Sequence, residues 1–206
     1  MGIQLMVSID PPEEVEAKLQ KLRKFIITRA GHFPYYEKHP GHVTLINNTF
    51  SSVYEVDKRL VAIAKSVQPF PIKIEGVHAF QEDPILKLTT LVYKLDKPKA
   101  LQDLQKKLFD FIAPLRTDNQ GKWLLENNPK MPVSMKENVK KHGYPFGPED
   151  WIFHASIGSY PADKHKEIWK KAQELDSNKK WAVKSICLYL VMDNGFRKIR
   201  GYRLGG

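Results

Sequence analysis

Cysteine is almost missing from this chain: Cys187 is the single one among 206 residues, so no disulfide can form within it. It falls in the apolar run from Ile186 to Met192, which predicts a buried core thiol and not a nucleophile. Long apolar stretches are missing too. Nothing approaches the roughly 18 consecutive apolar residues of a membrane span, and no charged-then-apolar leader opens the sequence, so the expectation is a soluble, cytoplasmic protein with no membrane partner. Acidic residues are in the minority. The 33 Lys and Arg against 23 Asp and Glu leave a net charge of +10, which favours a polyanionic partner such as RNA or a small nucleotide. Part of that charge has a blander reading, because Lys18, Lys21, Lys24, Lys106, Lys107, Lys164, Lys166, Lys170 and Lys171 fall on the polar faces of predicted helices. With 42% apolar residues, the chain can bury the core of one folded domain.

The order of elements reads as strand, helix, strand, helix, strand, and then again. Ile3 to Ile9 predicts a strand, with Asp10 as N-cap and Pro11 as the first residue of a helix whose apolar stripe is Val15, Leu19, Leu22 and Ile26. Ser52 with Glu55 forms a capping box for a helix presenting Val56, Leu60, Ile63 and Val67, and Ile72 and Ile74 resume a strand. A second round begins with a strand from Ile85 to Leu95. Asp96 and Pro98 then open a helix with Leu101, Leu104, Leu108 and Ile112 on one side. Later come a strand from Trp151 to Ile157, a helix with Ile168, Ala172 and Leu175, a strand from Val183 to Met192, and a turn at Asn194-Gly195 into a last strand. The expected organisation is one two-lobed domain over 1–206, with halves of about 1–80 and 81–206. A Pro-rich insertion at 114–148 enters the second half as a loop at the edge of a cleft.

The chemistry lies in two short segments that repeat one pattern 112 residues apart: Gly41-His42-Val43-Thr44-Leu45 and Phe153-His154-Ala155-Ser156-Ile157. In a strand, residues two apart share a face, so His42 and Thr44 project together, as do His154 and Ser156, each pair about 7 Å apart. One such triplet arises readily by chance. Two of them facing one cleft supply a pair of imidazoles and a pair of hydroxyls, enough for acid, base and oxyanion contacts in phosphoryl transfer without a metal. Imidazole ionises near pH 6.5, so one histidine can take a proton while the other gives one.

On these four residues and the repeated element order, the sequence resembles the two-histidine phosphoesterase superfamily. These are the LigT-like proteins that include 2′,5′-RNA ligases and cyclic phosphodiesterases. The resemblance implies an α+β fold, bilobal and pseudo-symmetric, with an antiparallel sheet in each lobe around a central cleft and helices outside. It also implies a phosphoric diester hydrolase acting without metal or cofactor on 2′,3′-cyclic phosphate ends or 2′,5′-linked oligonucleotides. The catalytic residues are then His42, Thr44, His154 and Ser156. Alternatives are a hydrolase of a cyclic or 2′,5′-linked nucleotide second messenger, and an RNA- or nucleotide-binding module that does no chemistry. No obligate protein partner is inferred. Tyr35 and Tyr36 before the first motif, Tyr160 after the second, and Arg197 and Arg200 on the last hairpin are candidates for base stacking or phosphate contact. His78, His142 and His165 read as solvent-exposed, and none of the histidines is spaced with Cys or carboxylates as a zinc site requires.

Overall fold

The amino-terminal apolar run forms strand β1 (Ile3–Ile9) in the computed structural model, which describes residues 2–31, 40–81, 88–147, 151–174, 179–193 and 195–206. After it come α1 (Glu13–Ala30), β2 (Val43–Phe50), α2 (Val53–Lys65), β3 (Phe70–Phe80), β4 (Thr89–Leu95) and α3 (Lys99–Phe111). The rest of the chain forms α4 (Asn119–Asn127), α5 (Val133–His142), β5 (His154–Tyr160), α6 (His165–Gln173), β6 (Lys180–Val183), β7 (Ser185–Met192) and β8 (Gly195–Arg203). Local signals account for several boundaries. Ser52 caps α2 as its sequence predicts, its hydroxyl accepting from the Glu55 N–H at 3.3 Å. Two predicted caps fall elsewhere. Helices α1 and α3 start behind Pro12 and Pro98, whose missing N–H costs a helix start nothing. Asp10 and Asp96 are drawn into tertiary bonds instead: Asp96 accepts from the Lys73 N–H at 2.7 Å, and Asp10 joins the cleft described below.

The eight strands form one curled antiparallel sheet in the order β6-β3-β4-β5-β2-β1-β7-β8. The two motif strands, β2 and β5, meet at its centre through the single pair Val43 and Ala155. Four strands lie to either side. Each side borrows across the chain: β3 follows the first motif yet pairs with β4, while β7 and β8 follow the second yet lie beside β1. Helices α1, α2, α3 and α6 cover one face of the sheet. Val15, Leu19, Leu22, Val56, Leu60, Leu104, Leu108 and Ile168 from them join Val7, Ile46, Leu91, Tyr93 and Leu188 from the strands in one core. The other face is left to form the cleft.

The Pro-rich segment, described through 147, is not a structureless loop. It folds as α4 and α5 around a small core of Leu124, Met131 and Val139. Beyond its one pairing with β5, the outer half of β2 is an open edge, and this segment closes it. Arg116 bridges Phe50, the Thr117 N–H donates to the Thr49 carbonyl at 2.7 Å, and the Asn48 amide donates to the His142 carbonyl at 2.9 Å.

One buried group stands out in α3. Gln105 is completely buried, and among the described residues neither its amide oxygen nor its amide nitrogen has a hydrogen-bond partner. Such an amide costs about 1–3 kcal/mol. Gln105→Met keeps the volume and the helix propensity while removing that cost, so it raises Tm by several degrees, at about 2–4 °C per kcal/mol for a chain this long. A lowered Tm in thermal unfolding would contradict this.

Candidate active site

Each motif strand carries its histidine and hydroxyl outward because the residue between them is anchored in the core: Val43 and Ala155 are buried opposite one another. Extending that antiparallel register by one residue sets Thr44 across from His154 and His42 across from Ser156. Each imidazole therefore faces the other motif's hydroxyl, at the roughly 5 Å Cβ separation of directly opposed residues. The four residues named from sequence converge on one patch at the middle of the cleft.

Both motifs end in a bulge. Between β1 and β2 the register slips so that Leu45 is the extra residue, and between β4 and β5 the extra residue is Ile157. In each case it is the aliphatic residue right after the hydroxyl, fully buried. A bulge inserts one residue and bends the strand, which re-aims the side chains before it; here that happens twice at equivalent places.

The imidazoles are held alike. His42 Nδ1 lies 2.9 Å from the carbonyl of Pro40, and His154 Nδ1 lies 2.7 Å from the carbonyl of Ile152, in each case two residues upstream. A carbonyl accepts only, so Nδ1 carries the proton, and in the neutral ring Nε2 is the nitrogen with the lone pair. Each ring also meets a phenylalanine edge-on: Phe196 of β8 at 5.1 Å from His42, and Phe80 of β3 at 5.3 Å from His154. Phe146, at the end of the Pro-rich segment, adds a third ring 6.4 Å from His154. Thr44 Oγ1 rests 3.5 Å from the Met6 sulfur, a weak acceptor that a phosphate oxygen can replace.

Helix α1 braces both motifs from behind. Its Glu16 accepts from the Gly41 N–H at 2.7 Å, beside His42. A Cβ on Gly41 would fall 2.1 Å from that carboxylate and 2.5 Å from Leu19, so only glycine admits the contact. Two turns on, buried Arg23 donates from Nε to the Ile157 carbonyl at 2.7 Å and from Nη2 to the Ser156 carbonyl at 2.9 Å, clamping the second bulge. Neither residue was singled out from sequence. A charged residue within an apolar helical stripe was the available signal.

On the first-half side, the cleft floor carries Met6, Cys187 and Tyr189, with Phe196 packed against them, and Asp10 at the end of β1. Asp10 accepts from the Tyr189 hydroxyl at 2.9 and 3.0 Å and from Lys198 Nζ at 2.7 Å. Burial, then the Asp10 charge, pushes the Tyr189 hydroxyl well above its usual range. Burial also carries the Cys187 thiol up to about 11, with Asp10 adding to the rise, so it is an uncharged wall of the cleft at neutral pH. For Lys198, burial pulls downward, but hydrogen bonds to Asp10 and Cys187 outweigh it and hold the ammonium above its ordinary value. On the second-half side, His78 packs against Phe80 at 4.9 Å, and Lys94, opposite His154 on β4, pairs with Glu75 at 2.8 Å.

Several other sequence candidates lie elsewhere. Tyr35 and Tyr36 fall outside the described residues. Tyr160 faces the core because the Ile157 bulge reverses the alternation after Ser156. It is fully buried, bonded to His165 Nδ1 at 3.1 Å, and raised by burial to about 12, so it does not reach the cleft. Arg200 points to the helix side, where it pairs with Asp57 of α2 at 3.1 Å. Arg197 is in register with Leu190, which packs on that same side. The cleft-facing residues of β8 are their neighbours Phe196 and Lys198, two apart as strand alternation requires. Three histidines read as exposed are not: His78 lines the cleft, His165 meets Tyr160, and His142 packs at a tilt against Phe109 at 4.5 Å. Among the described residues, no three His, Cys, Asp or Glu side chains converge as metal ligands, and no helix is long and apolar enough to cross a membrane.

Comparison with known proteins gives a family and a fold. The model of a family described as the 2′-5′ RNA ligase superfamily matches residues 11–194. The solved structure of TT0787 from Thermus thermophilus aligns over 99% of this chain and 99% of its own, at 15% identity and a TM-score of 0.55, a likeness of fold. E. coli LigT complexed with NADP+ aligns over 100% of both chains at 15% identity and a TM-score of 0.48, and a protein described as a phosphoesterase over 99% of both at 18% and 0.47. No curated protein sequence matches significantly.

Proposed function

This chain belongs to the 2′-5′ RNA ligase superfamily, and from that premise we propose that it is a metal-independent phosphodiesterase acting on 2′,3′-cyclic phosphate ends or 2′,5′-linked oligonucleotides. The observation that carries the reading is the central pairing of Val43 with Ala155, which sets two imidazoles and two hydroxyls against each other across one patch. The scissile phosphate lies between them. One Nε2 takes a proton from water or a ribose hydroxyl as that oxygen attacks phosphorus, and the other Nε2, protonated, gives its proton to the departing ribose oxygen. Thr44 and Ser156 donate to the non-bridging oxygens as negative charge grows there. The carbonyls of Pro40 and Ile152 hold each ring in the tautomer this needs and stabilise the imidazolium form of whichever ring is charged. Phe80, Phe146 and Phe196 offer faces on which bases stack.

The test is turnover, in chelator, of 2′,3′-cyclic nucleotides beside 2′,5′- and 3′,5′-linked oligoadenylates. The expected result is cleavage of at least one of the first two classes, with a bell-shaped dependence of kcat/KM on pH from one base and one acid. A strict requirement for added divalent metal would overturn the mechanism, because a metal-held water would then be the nucleophile. Cleavage confined to one small cyclic or linear dinucleotide would assign the enzyme to second-messenger hydrolysis. Folded protein that binds nucleotides but cleaves none of the panel would leave a binding module.

A further inference from the structure

The strands that flank the two motifs place charges of opposite sign at equivalent points. On β1, Ser8 stands across from Thr44 and Ile9 across from Val43, so the next residue, Asp10, falls across from His42. On β4, Val92 stands across from Ser156, Tyr93 across from Ala155 and Lys94 across from His154. The two registers match position for position. Beside its histidine, one half of the sheet holds a carboxylate and the other an ammonium, each at the roughly 5 Å Cβ separation of directly opposed residues.

Each of these charges has a partner rooted farther out in the sheet. Lys198, which donates to Asp10 at 2.7 Å, belongs to β8, two strands beyond β1; Glu75, 2.8 Å from Lys94, belongs to β3, the strand beyond β4. The inner member of the pair is thus anionic at His42 and cationic at His154. Helix α1 repeats those signs from behind. Its Glu16 accepts from the Gly41 N–H, next to His42, whereas its Arg23 donates to the carbonyls of Ser156 and Ile157, just past His154. Lys97 adds a further cation on the second side, its Nζ 5.8 Å from the ring centre of Phe153, the residue before His154. The cleft floor also carries Cys187, Tyr189 and His78. Burial keeps the thiol and the phenol uncharged at neutral pH, and His78 packs against Phe80 on the His154 side, where a proton on it adds to the positive sign.

A neighbouring carboxylate favours the protonated imidazole, and a neighbouring cation favours the neutral one. We propose that Asp10 and Lys94, acting through the imidazoles as positioning residues, give the reaction its direction: His42 is the acid and His154 the base. Nε2 of His154 takes the proton of the attacking hydroxyl or water as that oxygen bonds to phosphorus. The bond from phosphorus to the leaving ribose oxygen breaks, and Nε2 of His42 gives that oxygen its proton. The leaving nucleoside then lies toward Phe196, and the attacking oxygen toward Phe80 and Phe146. This rests on the phosphodiesterase reading above and deepens it by fixing which way round the substrate lies.

Two measurements separate this polarity from that reading. The first needs no turnover: NMR titration of the ring protons, assigned with His42→Ala and His154→Ala, shows His42 releasing its proton at higher pH than His154. Asp10→Asn, which keeps an acceptor for Tyr189, lowers the His42 titration by roughly 0.5–1 pH unit, and Lys94→Gln raises that of His154 by a similar amount. Lys198→Gln leaves Asp10 without its partner and so raises the His42 titration; shifts of opposite sign from the two members of one ion pair are not what lost packing produces. The second compares adenosine 2′-(4-nitrophenyl phosphate) with a 2′,5′-linked diadenylate. Because 4-nitrophenolate departs without a proton, His42→Ala keeps turnover of this ester to within about tenfold while losing about 10²–10⁴-fold on the diadenylate, and His154→Ala loses that much on both. His154 releasing its proton at the higher pH would overturn the assignment, as would a nitrophenyl ester that rescues His154→Ala or rescues neither variant; the phosphodiesterase reading would stand. The expected titrations in a protein that cleaves no phosphodiester would overturn that reading and leave the polarity of the cleft standing.

Discussion

His42→Ala and His154→Ala each lower kcat/KM by about 10²–10⁴-fold, the range expected when a positioned general acid or base is removed. The effect is chemical and not structural. Both rings lie on the cleft face, each bonded to a backbone carbonyl and met by phenylalanine edges, while the residues that anchor their strands, Val43 and Ala155, are untouched. Tm in both variants therefore stays within a few degrees of the native value, and KM changes much less than kcat. The double variant is hardly slower than the worse single one, because an acid and a base serving one transition state act as a unit. A single variant that keeps more than about a tenth of native turnover on every substrate cleaved would rule out the paired mechanism.

How much of this site could be read from the sequence follows from what each element depends on. The motif residues were legible because strand alternation is local: once 41–45 and 153–157 are strands, the shared face of histidine and hydroxyl follows, whatever the rest of the fold does. The helices were legible for the same reason, their apolar stripes having period 3.6. Local rules fail where a single residue is inserted. Ile157 as a bulge turns Tyr160 into the core, and the slip between Leu188 and Tyr189 on the β7–β8 ladder separates the faces of Lys198 and Arg200. Bulges have no sequence signature strong enough to foresee. Asp10 shows a second limit. Next to Pro11 it has the form of a helix cap, yet Tyr189 and Lys198, far away in sequence, compete for the same carboxylate and win it. The exchange of β3 for β7 and β8 between the two sides of the sheet is a third, since nothing within a strand says which neighbour it will pair with. The Pro-rich segment concealed two short helices because prolines sit at their margins, one of them, Pro132, at the N-cap of α5.

Arg23→Met is expected to damage the site without touching it. Arg23 is 2% exposed and bonds the carbonyls of Ser156 and Ile157 from the helix side, while the Ser156 hydroxyl lies on the opposite, cleft side of the same strand. Methionine fills much of the volume but leaves both carbonyls without that donor. Hydrogen bonds to a charged group contribute about 1.5–3 kcal/mol each, so losing two costs roughly 3–6 kcal/mol and lowers Tm by on the order of 10 °C. Activity falls by a separate route. The bulge that aims Ser156 is held from outside by Arg23 alone among the bonds described for those two carbonyls, so without it Ser156 and His154, two residues back, drift from the phosphate. A displacement of about 1 Å costs up to 10²-fold in rate. Because α1 also pins Gly41 through Glu16, the same helix sets the distance between the two motifs. Loss of its Arg23 clamp therefore lowers kcat well below what the unfolded fraction explains, measured at a temperature where the variant is fully folded. Arg23→Lys recovers part of the stability and little of the rate, since a single ammonium cannot reproduce the guanidinium's fixed fork toward two carbonyls. Native kcat in folded Arg23→Met protein would show that the bulge holds its own shape, and that α1 supports the fold but not the alignment of the two histidines.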